Sequence, residues 1–144
     1  MLPPNVLIID DEEDFVQAIN ERLTLRQMAV GTALDGAAGM RELERNPNTD
    51  VVLLDIMMPG MSGIETLRQI KASHPGVEVI MLTGHATVET AIEGMKLGAF
   101  DYLLKPYDMD TLLQKLQAAT DRARQHQVKI REAIGKELRG QRAA

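Results

Sequence analysis

Val51-Val52-Leu53-Leu54-Asp55 is a run of four apolar residues, two of them β-branched, closed by an acid. A short, continuously apolar, β-branched run reads as a strand buried on both faces. Upstream, Val6-Leu7-Ile8-Ile9 is followed by Asp10-Asp11 in the same manner. Downstream, Val77 to Leu82 runs into Thr83-Gly84, and Asp101-Tyr102-Leu103-Leu104 runs into Lys105-Pro106. Ala29-Val30-Gly31-Thr32-Ala33 is a weaker strand of the same length as the first quoted.

The stretches between these runs carry helical spacing. Glu13 to Arg26 places Phe15, Ile19 and Leu23 four residues apart. Gly36 to Arg45 turns Met40 and Leu43 inward and is closed by Asn46-Pro47. After a Pro- and Gly-rich loop at Pro59-Gly60-Met61-Ser62-Gly63, a helix is expected from Ile64 to Ala72, stopped by His74-Pro75-Gly76. Val88 to Leu97 offers Ala91, Ile92 and Met95 for burial, with Gly98 as a C-cap that tolerates positive φ. A long helix runs from about Met109 to about Leu138.

The order βαβαβαβαβα requires parallel strands joined by right-handed crossovers. The expected fold is therefore α/β: a flavodoxin-like (βα)5 doubly wound parallel sheet, strand order 2-1-3-4-5, with an extended C-terminal helix.

The chain has 144 residues and no cysteine, which excludes disulfides, thiolate metal sites and cysteine nucleophiles. Its apolar runs are too short to span a bilayer, and its first residues show no basic stretch leading into an apolar core, so a cytoplasmic chain with no membrane contact is expected. Charge is divided unevenly. Residues 1–114 hold 8 Lys+Arg against 18 Asp+Glu, whereas residues 115–144 hold 8 against 3. The basic end reads first as a solvated helix face and second as a contact for an acidic partner or a nucleic acid.

In an open parallel sheet, ligands bind beyond the carboxyl ends of the strands at the topological switch point. Between strands 1 and 3 that point holds Asp10, Asp11 and Asp55. Cores do not ordinarily gather like charges, because repulsion and desolvation both oppose it. A hard divalent cation such as Mg²⁺ resolves the conflict and commonly pairs with phosphate. Thr83 and Lys105, at the ends of the other two main strands, add a hydroxyl and an ammonium suited to a phosphoryl oxygen. Asp55, alone at its strand end, is then the candidate nucleophile toward phosphorus, and Asp10-Asp11 the metal pair.

These segments resemble the receiver domains of two-component response regulators. The matching stretches are Val6 to Glu12, Leu53 to Gly63, Met81 to Ala86 and Gly98 to Pro106, within roughly residues 4–120. The last of them is similar to receivers of sigma-54-dependent activators. The resemblance implies a phosphoacceptor signalling switch rather than an enzyme. Asp55 would take a phosphoryl group from a sensor histidine kinase or a histidine phosphotransfer protein. Asp10, Asp11, Asp55 and the Met57 backbone carbonyl would hold Mg²⁺. Thr83 and Tyr102 would be switch residues, Lys105 the phosphate partner, and Pro106 the site of a cis peptide. Met57 and His85, two residues past Asp55 and Thr83, would tune dephosphorylation. Phosphorylation would then reshape the face made by the fourth helix, the fifth strand and the fifth helix, toward an unidentified output partner.

Two other readings compete with this one. A haloacid-dehalogenase-like phosphatase needs a second Asp two residues after its nucleophile, and Met57 stands there. A flavin- or nucleotide-binding flavodoxin-like module needs a Gly-, Ser- or Thr-rich first loop, and Asp10-Asp11-Glu12-Glu13-Asp14 stands there.

The receiver is expected over residues 4–122 and a helical extension or linker over 123–144. Leu112, Leu116, Ala119 and Ala123 should pack on the sheet. Ile130, Ile134 and Leu138 form a narrow apolar stripe on a basic helix. A homodimer through this helix, or through the face around the fifth strand, is one expectation. No helix-turn-helix or P-loop pattern is present, so direct binding of nucleic acid or ATP is not expected.

Overall fold

The computed structural model describes residues 2–58, 60–84 and 88–143, with side chains through residue 140. Five strands, β1 (Asn5–Ile9), β2 (Ala29–Ala33), β3 (Val51–Asp55), β4 (Glu78–Thr83) and β5 (Asp101–Leu104), alternate with five helices. These are α1 (Glu13–Thr24), α2 (Gly36–Arg45), α3 (Gly63–Ser73), α4 (Val88–Lys96) and α5 (Met109–Ala143). All strand pairs are parallel, in the order β2-β1-β3-β4-β5. This is the 2-1-3-4-5 flavodoxin-like sheet that the pattern requires.

The period of two along each strand divides the core into two layers. Leu7, Ile9, Val52, Leu54, Val79 and Met81 face α2 and α3, meeting Leu43, Leu67 and Ile70. Val6, Ile8, Val51, Leu53, Ile80 and Leu82 face α1 and α5, meeting Val16, Ile19, Leu23, Leu112 and Leu116. Both faces of the central strands are thus dry, which is why their sequences are unbroken apolar runs rather than alternating ones.

Local signals set the ends of the helices. The Asp35 carboxylate accepts the Ala38 amide at 2.8 Å, and the Ser62 hydroxyl accepts the Glu65 amide at 3.2 Å. Gly98 closes α4 with φ 102°, a conformation that an L side chain resists.

Three details depart from the sequence reading. In α1 the fully inward residues are Val16, Ile19 and Leu23, while Phe15 is only half-buried. In α4, Ile92 and Met95 are 49 % and 43 % exposed, and Gly94 is the buried residue. The reason is steric. A β-carbon on Gly94 would fall 2.2 Å from the Met81 sulfur, so α4 rests on the sheet through its glycine and its larger apolar side chains face outward. Finally, α5 reaches Ala143, beyond the expected end near Leu138. Leu112, Leu116, Ala119 and Ala123 are buried as expected, and Ile130, Ile134 and Leu138 are exposed.

The turn from β3 into α3 brings backbone against backbone. A β-carbon on Gly63 would stand 2.3 Å from both the Asp55 carbonyl oxygen and the Ile56 Cα. Neither atom can move without displacing β3. Gly63→Ala is expected to cost about 1–3 kcal/mol of stability in urea denaturation; an unchanged midpoint would show that the turn is slack.

Candidate functional site

The site lies where β1, β3, β4 and β5 end on the same edge of the sheet. Pairing sets this level: Ile9 stands beside Leu54, Asp55 beside Leu82, and Thr83 beside Leu104. The residues that follow must then meet above the sheet. Asp10 follows β1, Asp55 closes β3, Thr83 closes β4 and Lys105 follows β5. The Lys105 amide donates to the Thr83 carbonyl at 3.0 Å, which ties the last two ends together.

Asp10, Asp11 and Asp55 form the acidic cluster. One carboxylate oxygen from each lies within 4.8 Å of the others. Asp10 and Asp55 are buried, and Asp11 is exposed. Asp10 does not act as the N-cap of α1; Glu12 holds that position, and its amide donates to Asp10 Oδ1 at 2.9 Å. Asp55 Oδ1 accepts the Met57 amide at 3.1 Å, and the Met57 side chain is 59 % exposed at the rim. Thr83, at the end of β4, is fully buried.

Lys105 is the cation of the site. Its Nζ donates to Asp10 Oδ2 at 2.7 Å and Glu12 Oε1 at 3.1 Å, and lies 3.9 Å from Asp55 Oδ2. Burial works against its charge, but the hydrogen bonds to Asp10 and Glu12 and the charges of Asp10 and Asp55 prevail, so its pKa is raised. The same ammonium sits 4.0 Å from the centroid of the Phe15 ring, which meets Tyr107 edge-to-face. The Lys105–Pro106 peptide bond is cis.

For Asp55 the balance goes the other way. Desolvation by burial is the largest influence and raises its pKa. The Met57 amide and Lys105 oppose that, whereas Asp10 and Asp11 add to it. The result is a carboxyl pushed from 3.8 to about 6. Burial thus outweighs the favourable contacts that Asp55 has with the Met57 amide and Lys105.

Tyr102 lies outside this cluster, 41 % exposed on β5. It lines a groove with Val88, Ala91, Ile92, Met95 and Lys96 of α4. His85, read from the sequence as a tuning residue, lies outside the described residues. Sequence reading missed Glu12, Phe15 and Tyr107 as neighbours of Lys105. Phe15 had a signal, since it precedes the buried α1 face by one residue, but spacing does not say which charged group a half-buried ring meets.

The response regulator receiver domain family matches residues 6–117, and the chain belongs to that family. It is 37 % identical over 114 residues to the regulatory protein AtoC of Escherichia coli, covering 79 % of this chain and 24 % of that protein. The chain thus spans about a quarter of the length of that relative. A response regulator receiver domain protein from Clostridium thermocellum superposes with a TM-score of 0.80 at 38 % identity, covering 84 % of this chain and 97 % of that one. The CheX–CheY–BeF3–Mg²⁺ complex from Borrelia burgdorferi gives 0.76 at 31 % identity, covering 81 % and 89 %. A receiver domain of two-component signalling leaves the phosphatase reading without support. Among the described residues, no helix is long and apolar enough to cross a membrane.

The raised Asp55 pKa has a sign that can be measured. Between pH 4 and 6 the folded chain holds a proton that the unfolded chain has lost, so stability falls as pH rises through this window. Without divalent cations, Asp55→Asn is expected to stabilise the chain by about 1–2 kcal/mol at pH 7. The gain should shrink below pH 6 and vanish only well below 3.8, where Asp55 is protonated in both states. A gain of equal size at pH 4 would show that its cause is not electrostatic.

Proposed function

We propose that this receiver domain is a phosphoacceptor switch in which Asp55 carries the phosphoryl group. The observation that supports it best is a buried carboxylate at the end of β3, with Asp10 and Asp11 within 4.8 Å and the Lys105 ammonium 3.9 Å away. An oxygen of ionised Asp55 attacks phosphorus and forms an acyl phosphate. The bond from phosphorus to the donor breaks, and the donor leaves with the electron pair. The donor is the phosphohistidine of a sensor kinase or phosphotransfer protein. Lys105 meets charge on the equatorial oxygens, and the Thr83 hydroxyl donates to one of them once the β4 end draws in.

The donor set suits Mg²⁺: hard, anionic oxygens within 4.8 Å of one another, two of them buried. Asp10, Asp11, Asp55 and the Met57 carbonyl would hold it. When bound, it offsets charge on the carboxylates and the phosphoryl oxygens. The Borrelia relative was crystallised with both BeF3 and Mg²⁺, which supports the same occupants here.

The output face in this reading is α4, β5 and the start of α5. Val88, Ile92, Met95, Tyr102 and Leu104 are exposed together there, a contiguous apolar surface of the kind that marks an interaction site. Thr83 moving toward the phosphoryl group changes the packing behind Tyr102, and this face responds. The domain spans residues 4–122, and 123–144 is a helical extension toward an output element or a second copy. The chain acts in the cytoplasm and does no chemistry beyond gaining and losing its own phosphoryl group.

Incubation with acetyl phosphate and Mg²⁺ should add one phosphoryl mass, and Asp55→Asn or excess EDTA should abolish the gain. Retained labelling of Asp55→Asn, or turnover of phosphoesters, would refute the assignment. Met57 is apolar and cannot hold an attacking water, so the acyl phosphate should decay over minutes or longer, followed by loss of mass after desalting. A lifetime of seconds with Mg²⁺ present would show that Met57 does not protect it.

A further inference from the structure

Lys105 has a flexible four-carbon stem, and its Nζ has two strong carboxylate partners on one side. While bound to both, Nζ also stands 4.0 Å from the Phe15 centroid and 3.9 Å from Asp55 Oδ2, so the ring closes a side of the ammonium that no carboxylate occupies. An aromatic face attracts a cation within about 6 Å, and more strongly where water is kept out. The Lys105 side chain is only 13 % exposed. The ring is itself held: its centroid lies 5.8 Å from that of Tyr107 at an interplanar angle of 89°. Tyr107 belongs to the same segment as Lys105, two residues on, so α1 and the β5–α5 connection lock together around the ammonium.

We infer that Phe15, backed by Tyr107, is a positioning residue for phosphoryl transfer, acting as an aromatic seat that keeps the Lys105 ammonium within reach of Asp55. The inference rests on Asp55 as the phosphoacceptor. Phe15 touches neither donor nor phosphorus and acts through Lys105. The seat does two things. It narrows the positions open to Nζ, so less ordering remains for the transition state. It also gives the cation an attractive surface that is not a carboxylate, so Nζ can turn toward a phosphoryl oxygen without leaving all of its partners. Sulfur, hydroxyl or aliphatic groups at position 15 could fill the same space but would not supply the negative π face.

The test separates the ring's electrostatics from its bulk. Mono-, di- and trifluorophenylalanine are placed at position 15 alone by site-specific incorporation, because the chain's second phenylalanine, Phe100, packs against Arg122. Fluorination withdraws charge from the ring face while changing its volume little. The rate of phosphorylation by acetyl phosphate with Mg²⁺ is measured by intact mass, and folding by thermal denaturation. Phe15→Tyr and Phe15→Leu are measured in parallel. The expected result is a stepwise fall with fluorination, about three- to tenfold in all, at nearly constant thermal midpoint. Phe15→Tyr should retain most of the rate and Phe15→Leu should match the trifluoro variant. A flat series, or one that rises with fluorination, overturns the inference while wild-type labelling at Asp55 stands. A wild type that takes no phosphoryl group, or takes it elsewhere than Asp55, overturns the phosphoacceptor reading and this inference with it.

Discussion

Three carboxylates share one ammonium at the carboxyl edge of the sheet. Asp10 and Asp55 are buried there, and Lys105 reaches both as well as Glu12. Each attraction is strong in a poorly solvated pocket, but so is each repulsion. Burial raises the Asp55 pKa to about 6, and the charges of Asp10 and Asp11 add to that against the opposing Met57 amide and Lys105. The fold maintains this arrangement because the acids sit at the ends of β1 and β3, whose positions are fixed by parallel pairing and by two dry core layers. The acids cannot separate without unzipping Ile9 from Leu54. Stored repulsion of this kind makes the pocket receptive to anything that brings positive charge or consumes negative charge.

The far edge of the same sheet shows that buried acids alone do not make such a site. Asp50, just before β3, and Glu78, at the start of β4, are 2 % and 6 % exposed. Asp50 is met by Arg124 at 3.2 Å and accepts the Asn5 amide at 2.9 Å. Glu78 has Lys71 at 3.7 Å and Arg122 at 3.8 Å. Here each acid has a cation of its own, from α3 or α5. Two buried carboxylates at one end serve as anchors, and the two at the other, Asp10 and Asp55, share the single ammonium of Lys105 with the exposed Glu12. What differs is the ratio of cations to anions, not burial.

That contrast explains what could be read from the sequence. Strands buried on both faces leave an unmistakable trace, and the residues after them must converge. Asp10, Asp55, Thr83 and Lys105 could therefore be placed in one pocket from strand ends alone. The environment of Lys105 could not. Whether its ammonium meets Glu12 and Phe15 depends on the direction of a long, flexible stem, which no periodicity encodes. The outward face of α4 was also hidden. An amphipathic pattern shows that a helix has an apolar side, but Gly94 against Met81, rather than Ile92 or Met95, determines which side approaches the sheet. Small residues carry little weight in a hydrophobic pattern, yet they permit the closest contacts.

The path of α5 follows from the anchors at the far edge. Leu112, Leu116, Ala119 and Ala123 lie against the sheet, and Arg124 stands at the point where the helix leaves it. Its guanidinium binds Asp50 and also donates to the carbonyls of Leu2 at 2.5 Å and Pro3 at 2.9 Å. The helix is therefore pinned one residue after its last core contact. Beyond that pin, Ile130, Ile134 and Leu138 are exposed. An isolated helix of some twenty residues is marginal in water, so the outer segment draws its order from continuity with the packed half. A displacement of α5 at the sheet must then pass through Arg124 before it reaches the extension. The joint is ionic: Asp50 lies beside the sheet, and Arg124 lies in the first turn of the extension.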